Sequence, residues 1–150
     1  MRNFLTKILS TVFYVGFLPF IPGTIASLIG VAIFYLIRGN FRPMVLLTAL
    51  IIILGFAVSG KAERMFNKKD AKYIVIDEVA GMLLSLMFLP FDLKFVIIAF
   101  VLFRLLDILK PYPANRIQEL RGSMGIMGDD IVAGLYTNLI ISVALKMGFF

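Results

Sequence analysis

The sequence predicts an all-α, polytopic membrane protein that forms a single domain over residues 1–150. Of its 150 residues 61% are hydrophobic, and the mean hydropathy is +0.99. Soluble domains are about 45–50% apolar, so a soluble core of this length could not bury so many apolar side chains. The apolar residues form separate runs, and helices satisfy their backbone polar groups internally within lipid. We expect about four spans, preceded by an N-terminal interfacial or re-entrant helix.

The N-terminal helix is expected from the apolar stretch at 8–20, which is bounded by Pro19 and Pro22. This stretch is short for a span, because crossing the hydrocarbon core takes about 20 helical residues. It loosely resembles a signal peptide, but it lacks a clear small-residue cleavage site and further apolar runs follow it. An interfacial or re-entrant helix is therefore the preferred interpretation.

The predicted spans, about four in number, lie among five further apolar runs. Thr24 is expected to cap the first of them, which is short, and Pro43 opens the second. Pro111 ends the fourth run, because a proline disfavours helical conformation in the residue before it. The runs cover residues 25–37, 44–59, 73–91, 93–109 and 129–150.

The basic residues predict the orientation of these spans. Eleven of the 15 lie in the N-terminus, the 60–72 loop and the 104–128 region. Cytoplasmic segments of membrane proteins carry an excess of Lys and Arg, which places these three regions on the cytoplasmic side. Topology and anionic lipid headgroups then explain the net charge of +6, and nucleic acid is not expected as a partner.

The carboxylates are the strongest functional signal, because they lie in or beside the apolar runs. A charged side chain at the bilayer centre costs roughly 2.5–3.5 kcal/mol on insertion scales, so each one needs a polar cavity or a bound cation. The predicted topology brings the polar residues of four distant segments to the cytoplasmic membrane surface. The five carboxylates concerned are Asp77, Glu78, Asp107, Asp129 and Asp130.

The ligand chemistry of such a site follows from residues that the chain lacks. It contains no cysteine and no histidine, which excludes disulfides, thiolate metal sites, the usual zinc ligand and a histidine base. Oxygen ligands alone favour Mg²⁺, which commonly takes one or two carboxylates together with substrate phosphate oxygens. Metal-assisted hydrolysis of a phosphomonoester at the membrane surface fits this inventory best.

Each acidic pair also has a plainer structural interpretation. Asp129 suits a helix N-cap, although one aspartate would suffice there and Asp130 needs another explanation. Asp77 and Glu78 point about 100° apart on a helix, so we expect one to bind metal while the other pairs with a basic residue. The alternative is a carboxylate pair that balances the lysines of the 60–72 loop.

Basic and hydroxyl residues near these acids have two interpretations as well. Arg104, Asp107 and Lys110 recur at three-residue intervals and form one polar stripe on an otherwise apolar helix. The stripe either neutralises itself, or Asp107 binds metal while Lys110 or Arg104 binds phosphate. Arg116 either contacts a headgroup or is solvated. Thr24 is either a simple N-cap or part of a helix start that attracts an anion.

Four motifs occur in a fixed order over nearly the whole chain. They are Pro22-Gly-Thr-Ile-Ala-Ser-Leu28, Asp77-Glu-Val-Ala-Gly-Met82, Phe103-Arg-Leu-Leu-Asp-Ile-Leu-Lys-Pro-Tyr-Pro113 and Met124-Gly-Ile-Met-Gly-Asp-Asp-Ile-Val-Ala-Gly134. Together they resemble the phosphatidylglycerophosphatase A family, bacterial membrane enzymes that convert phosphatidylglycerophosphate to phosphatidylglycerol. Ala26, Ala114 and Ser123 depart from the pattern that we expect for the family.

The resemblance implies an Mg²⁺-dependent lipid phosphatase of the bacterial cytoplasmic membrane, with its active site on the cytoplasmic face and a lipid as its partner. It implies that the five carboxylates carry catalysis, and that the metal ligands among them are Asp77, Glu78, Asp129 and Asp130. The phosphate-binding residues expected on the same basis are Lys110, Arg104, Thr24 and Arg116. Whether Asp107 or Asp77 acts as the base stays open.

Two other classes of function also stay open at this point. Buried acids carry protons or cations in small membrane transporters and channels. A non-catalytic membrane scaffold is the third interpretation. Release of phosphate from the lipid would separate the three.

Overall fold

The computed structural model describes residues 2–37, 40–69 and 71–149, and within them it contains helices and no β-strand. The predicted all-α class is therefore confirmed. The prediction of an N-terminal helix over the apolar stretch at 8–20 is wrong, because only residues 8–10 belong to the first α-helix and a 3₁₀ turn at Val15–Phe17 follows it. The α-helices, in chain order, are α1 (Arg2–Ser10), α2 (Pro22–Leu36), α3 (Phe41–Phe66), α4 (Ile76–Leu86), α5 (Leu93–Leu109), α6 (Ala114–Gln118) and α7 (Ser123–Lys146).

Two of these helices are long and apolar enough to cross a membrane, α3 with 26 residues and α7 with 24. The expected count of about four spans is not confirmed, because α2 and α5 have 15 and 17 residues and α4 has only 11. The apolar run at 73–91 does not form one long helix, since α4 ends at Leu86 and Pro90 lies in the turn before α5. At 1.5 Å per residue, α4 is roughly 16 Å long, about half of the hydrocarbon thickness.

Helix α4 lies at the centre of the bundle, where α2, α3, α5 and α7 all pack against it. Nine of its 11 residues are buried, as expected for a helix that is apolar on every side beyond its acidic start. Large apolar side chains point outward from the surrounding helices, among them Leu46 and Ile53 of α3, Val101 and Ile108 of α5, and Leu139 of α7. An outer surface of this kind suits contact with lipid.

Helices α4 and α7 run parallel along a seam of small residues. A Cβ atom at Gly134 would lie 2.5 Å from the Gly81 carbonyl oxygen, and one at Gly81 would lie 2.7 Å from the Asp130 carbonyl oxygen. The two glycines therefore let the backbones approach closely, as small residues do at helix interfaces in membranes. This approach places Asp77, one turn before Gly81, beside Asp130.

A polar contact closes the far end of the seam. The Asn138 side-chain amide donates to the Ser85 carbonyl oxygen at 3.2 Å and also to the carbonyl oxygen of Met87. These carbonyls belong to the end of α4, where a helix leaves its last C=O groups without partners in the helix itself. Asn138 thus caps α4 from the neighbouring helix.

Helix α7 begins at Ser123, six residues before Asp129, where the last span was predicted to start. The interpretation of Asp129 as an N-cap is therefore wrong, since Gly122 occupies that position and Asp129 lies in the second turn. Two of the preceding glycines are packing positions within the helix, because a Cβ atom would overlap the Leu120 carbonyl oxygen at Gly125 and the Ile117 side chain at Gly128. The third, Gly122, is the N-cap and has a positive φ of 73°, a conformation that favours glycine.

Ser123 fastens the start of α7 to α3. Its hydroxyl donates to the Phe56 carbonyl oxygen at 2.6 Å and accepts from the Gly60 N–H at 3.0 Å. The serine is thus inserted between two groups that would bond to each other in a regular helix. The adjacent Gly122 N–H donates to Glu63 at 2.9 Å. A residue that departs from the expected family pattern therefore anchors the helix that carries two of the acids.

Helix α2 begins at Pro22, two residues earlier than Thr24, so the prediction of Thr24 as the N-cap is wrong. Ile21 is the N-cap, and the proline suits the first helical position because it lacks an N–H that would find no partner there. The Ser27 hydroxyl donates to the Gly23 carbonyl oxygen at 2.9 Å within the helix.

Candidate active site

Five carboxylates converge at one end of the bundle. Asp77 and Glu78 come from the first turn of α4, Asp107 from the end of α5, and Asp129 and Asp130 from α7. Oxygens of Asp77, Glu78 and Asp130 all lie within 4.8 Å of one another. Oxygens of Asp107, Asp129 and Asp130 meet the same limit. Asp130 belongs to both groups and joins them into what we term the carboxylate cluster.

The carboxylate cluster is buried and short of hydrogen-bond donors. Asp77 and Asp130 expose only 7% and 3% of their surface. The buried oxygens without a hydrogen-bond partner include Asp77 Oδ1, Glu78 Oε2 and Asp130 Oδ2. Burying ionised carboxylates without partners is costly, and grouping them adds mutual repulsion. A divalent cation would relieve both costs, and these oxygen ligands fit one.

Asp77 and Glu78 both join one group with Asp130, and Glu78 also lies near Arg104, so their expected division between a metal and a basic residue stays a prediction. The packing of α7 brings Asp130 to them, and the sequence around α4 does not reveal that contact. The other predicted partners, Lys69 and Lys72, contact a backbone carbonyl and an aromatic ring instead. The pair therefore lies within the cluster rather than at a lysine-neutralised surface.

Gly23 makes room for Glu78 at the start of α2. A Cβ atom there would overlap Glu78 Oε1 and would lie 3.5 Å from Arg104 Nη1. Sequence reasoning emphasised Thr24 in this motif and missed the glycine beside it. The signal was present, because glycine within a helix is costly unless another group must come close.

Two basic side chains border the carboxylate cluster at the end of α5. Arg104 Nη1 is 2.8 Å from Asp107 Oδ2, and Lys110 Nζ is 3.8 Å from Asp107 Oδ1. Lys110 also forms a short ion pair with Asp129, so the self-neutralising stripe is present and extends to α7. Burial disfavours the ammonium form, but the Asp129 hydrogen bond and nearby negative charges outweigh it and raise the pKa of Lys110. Lys110 is therefore charged at neutral pH.

Lys110 reaches the carboxylate cluster because the chain turns sharply where α5 ends. It is the C-cap residue, with φ 46° and ψ 62° in the left-handed region. A residue other than glycine pays roughly 1–2 kcal/mol for this conformation. Strain of this kind recurs at functional sites, and here it accompanies the contact between the lysine and the acids.

Two of the predicted phosphate contacts lie at the margin or outside the cluster. Thr24 is half-buried in the first turn of α2, next to Gly23. The Arg116 side chain is 72% exposed, and its guanidinium lies 3.8 Å from Glu119. Arg116 therefore lies outside the carboxylate cluster, and its two interpretations, a headgroup contact and a solvated side chain, stay predictions.

Comparison with known families gives a match over most of the chain. The family described as phosphatidylglycerophosphatase A matches residues 8–145. This chain belongs to the phosphatidylglycerophosphatase A family. The resemblance drawn from the four motifs is thereby confirmed, and the transporter interpretation is not favoured.

Individual relatives agree with membership of the phosphatidylglycerophosphatase A family. Phosphatidylglycerophosphatase A of Escherichia coli strain K12 is 38% identical over 126 residues, which cover 80% of this chain and 72% of that protein. The protein of the same name from Haemophilus influenzae is 32% identical over 124 residues, covering 80% and 76%. A Bacteroides thetaiotaomicron protein, named as a candidate phosphatidylinositol-3-phosphatase, is 34% identical over 153 residues, covering 95% and 94%. No solved structure gives a significant match.

The four motifs of this phosphatidylglycerophosphatase A family member coincide with the segments that build the carboxylate cluster. They form the first turns of α2, α4 and α7 and the end of α5. Segments that are far apart in the sequence therefore meet at one end of the bundle. The cluster is the part of the fold in which the family motifs make contact with one another.

Proposed function

We propose that this protein is a divalent-cation-dependent phosphatidylglycerophosphatase, which releases inorganic phosphate from phosphatidylglycerophosphate and leaves phosphatidylglycerol. Family membership supports the lipid phosphatase activity. The single structural observation that carries the cation requirement is the set of buried, unpartnered carboxylate oxygens joined through Asp130. Mg²⁺ is the cation that suits this site, because the chain offers oxygen ligands and neither His nor Cys.

We assign the cation to the group formed by Asp77, Glu78 and Asp130. Each of the three contributes an oxygen that has no hydrogen-bond partner and that a cation would satisfy. Asp107 and Asp129 form ion pairs with the two basic side chains at the end of α5. The assignment therefore differs from the family-based expectation by treating Asp129 as the partner of a lysine rather than as a metal ligand.

The remaining chemistry falls to side chains around that group. When bound, Mg²⁺ neutralises phosphate oxygens and lowers the pKa of a bound water. Lys110 and Arg104 stabilise the negative charge on the phosphate while water forms the new P–O bond and the lipid oxygen leaves. Asp107 is more exposed than Asp129, 13% against 7% for the side chains, and it orients the water and accepts its proton. That proton then passes to the leaving lipid oxygen.

The test is phosphate release from phosphatidylglycerophosphate by the purified protein, with Mg²⁺ and after treatment with EDTA. We expect release with Mg²⁺, loss in EDTA and recovery when Mg²⁺ is restored. Asp130→Asn removes the acid shared by both groups and is expected to lower turnover about a thousandfold, the equivalent of about 4 kcal/mol. Glu119→Gln removes the same charge from an exposed carboxylate and should retain activity. Wild-type turnover in Asp130→Asn would contradict the proposed site.

A second substrate is worth measuring in the same assay. The Bacteroides relative, whose match covers 95% of this chain, is named as a candidate phosphatidylinositol-3-phosphatase, which implies phosphatidylinositol 3-phosphate as its substrate. That lipid also ends in a phosphomonoester, so the same cluster could act on it. We expect phosphatidylglycerophosphate to be hydrolysed with the higher kcat/KM. The reverse order would make the phosphoinositide the preferred substrate and leave the cation requirement unchanged.

A further inference from the structure

A second polar feature lies at the end of α3 and shares no lining residue with the carboxylate cluster. Two cavities of about 570 and 380 Å³ open there, and Arg64 lines both. We call the two together the basic pocket. The first cavity, between α1 and α3, is lined by Asn3, Thr6, Lys61, Arg64 and Met65. The second is lined by Glu63, Arg64, Asn67, Lys68, Lys69 and Arg121.

The basic pocket has an excess of positive charge. Five cationic side chains and one carboxylate line it. The carboxylate, Glu63, accepts the Gly122 N–H at 2.9 Å, and Lys69 donates to a backbone carbonyl oxygen at 3.0 Å. Lys61 and Arg64 are exposed at the cavity between α1 and α3. Concentrated charge of one sign in a concave site attracts ligands of the opposite sign.

The amphipathic character of helix α1 suits a position of the basic pocket at the membrane surface. Its polar residues Asn3 and Thr6 line the cavity, whereas Phe4 and Leu5 are 59% and 54% exposed on the other side of the helix. Amphipathic helices of this kind lie in the headgroup region with their apolar face in lipid. The anions that are abundant at this depth are the phosphate groups of lipid headgroups.

We propose that the basic pocket binds the phosphate-bearing headgroup of an anionic lipid from the surrounding leaflet, in addition to the lipid that is hydrolysed. Lys61 and Arg64 would contact the phosphate, and Asn3 and Thr6 offer hydrogen bonds to the rest of the headgroup. The larger cavity, at about 570 Å³, has the size of ordinary small-molecule sites. Basic residues that only set topology need not line a cavity together with polar residues of another helix.

The experiment measures retained lipid and requires no turnover, so it is independent of the hydrolysis assay. The intact protein is released from nanodiscs that contain equal phosphatidylserine and phosphatidylcholine with identical acyl chains, and bound lipid is counted by native mass spectrometry. Wild-type protein should retain phosphatidylserine in preference to phosphatidylcholine. Lys61→Gln with Arg64→Gln should lower that preference about thirtyfold, because each basic side chain near a membrane surface contributes about 1 kcal/mol.

The matched control is Arg42→Gln with Lys146→Gln, which removes the same charge from exposed residues at the opposite ends of α3 and α7. The control should keep the wild-type preference, and thermal unfolding should show that both double variants are folded. An unchanged preference in the Lys61/Arg64 variant, or an equal loss in the control, would overturn the proposal. So would displacement of the lipid by millimolar glycerol 3-phosphate, since the pocket would then take a soluble phosphate.

Discussion

Asp130 shows how far the identity of single residues follows from the sequence. The cost of a charge in lipid singles out all five carboxylates, and the structure brings all five together. Their pairing could not be predicted, because Asp130 meets Asp77 only through the packing of α7 on α4. The N-cap interpretation of Asp129 failed for a related reason, since the helix starts where Ser123 bonds to α3, far away in sequence.

At the residue scale, Gly23→Ala should lower phosphate release while leaving the protein folded. The new Cβ would overlap Glu78 Oε1, so the carboxylate would have to move away from its position in the cluster. A misplacement of about 1 Å at a catalytic group can cost about a hundredfold in rate, and we expect a loss of that order. The Mg²⁺ concentration that gives half-maximal release should also rise, which the same assay measures.

A second substitution tests whether Gly23→Ala acts by crowding the Glu78 side chain. Glu78→Asp shortens the side chain that the new methyl group would meet. Each single variant should be impaired, and the double variant should lose less activity than the two single losses combined. Strictly additive losses would show that the contact between these two positions is not the cause.

At the element scale, the predicted and observed helices agree best where the apolar residues of a helix point outward. Helix α5 has the predicted bounds of 93–109, and α3 contains the predicted run at 44–59. The seam between α4 and α7 is only half visible in the sequence. Each helix carries small or polar residues at four-residue spacing, but nothing in either segment tells which helix it will meet. The positions that face one another are Asp77 and Asp130, Gly81 and Gly134, and Ser85 and Asn138.

The seam predicts that Gly134→Val destabilises the protein. Its side chain would press on the Gly81 carbonyl oxygen, which lies 2.5 Å from the position of a Cβ. Overpacking of this kind costs about 1–3 kcal/mol, so the Tm of the detergent-solubilised protein should fall. Leu135→Val, on the exposed neighbouring position, should leave the Tm nearly unchanged. Equal Tm values for the two variants would mean that the helices do not pack closely at this level.

At the scale of the whole molecule, composition sufficed for the all-α membrane class but not for the number of spans. Hydropathy registers how apolar a segment is, and it cannot tell whether lipid or protein surrounds that segment. Helix α4 is the decisive example, because its apolar residues are buried by four other helices. The run at 73–91 therefore looks like a span in the sequence, whereas the helix within it has 11 residues.

Cysteine labelling tests the orientation that the basic residues predict, since the chain has no native cysteine. Lys68, Lys94 and Lys146 are exposed and lie after α3, at the start of α5 and at the end of α7. Lys68→Cys should react with an impermeant reagent only from the cytoplasmic side, and Lys146→Cys only from the opposite side. We expect Lys94→Cys to be labelled from the same side as Lys146→Cys, because a lysine at position 94 would be costly within the hydrocarbon. Labelling of Lys94→Cys from the cytoplasmic side would mean that α4 and α5 enter and leave by the same face.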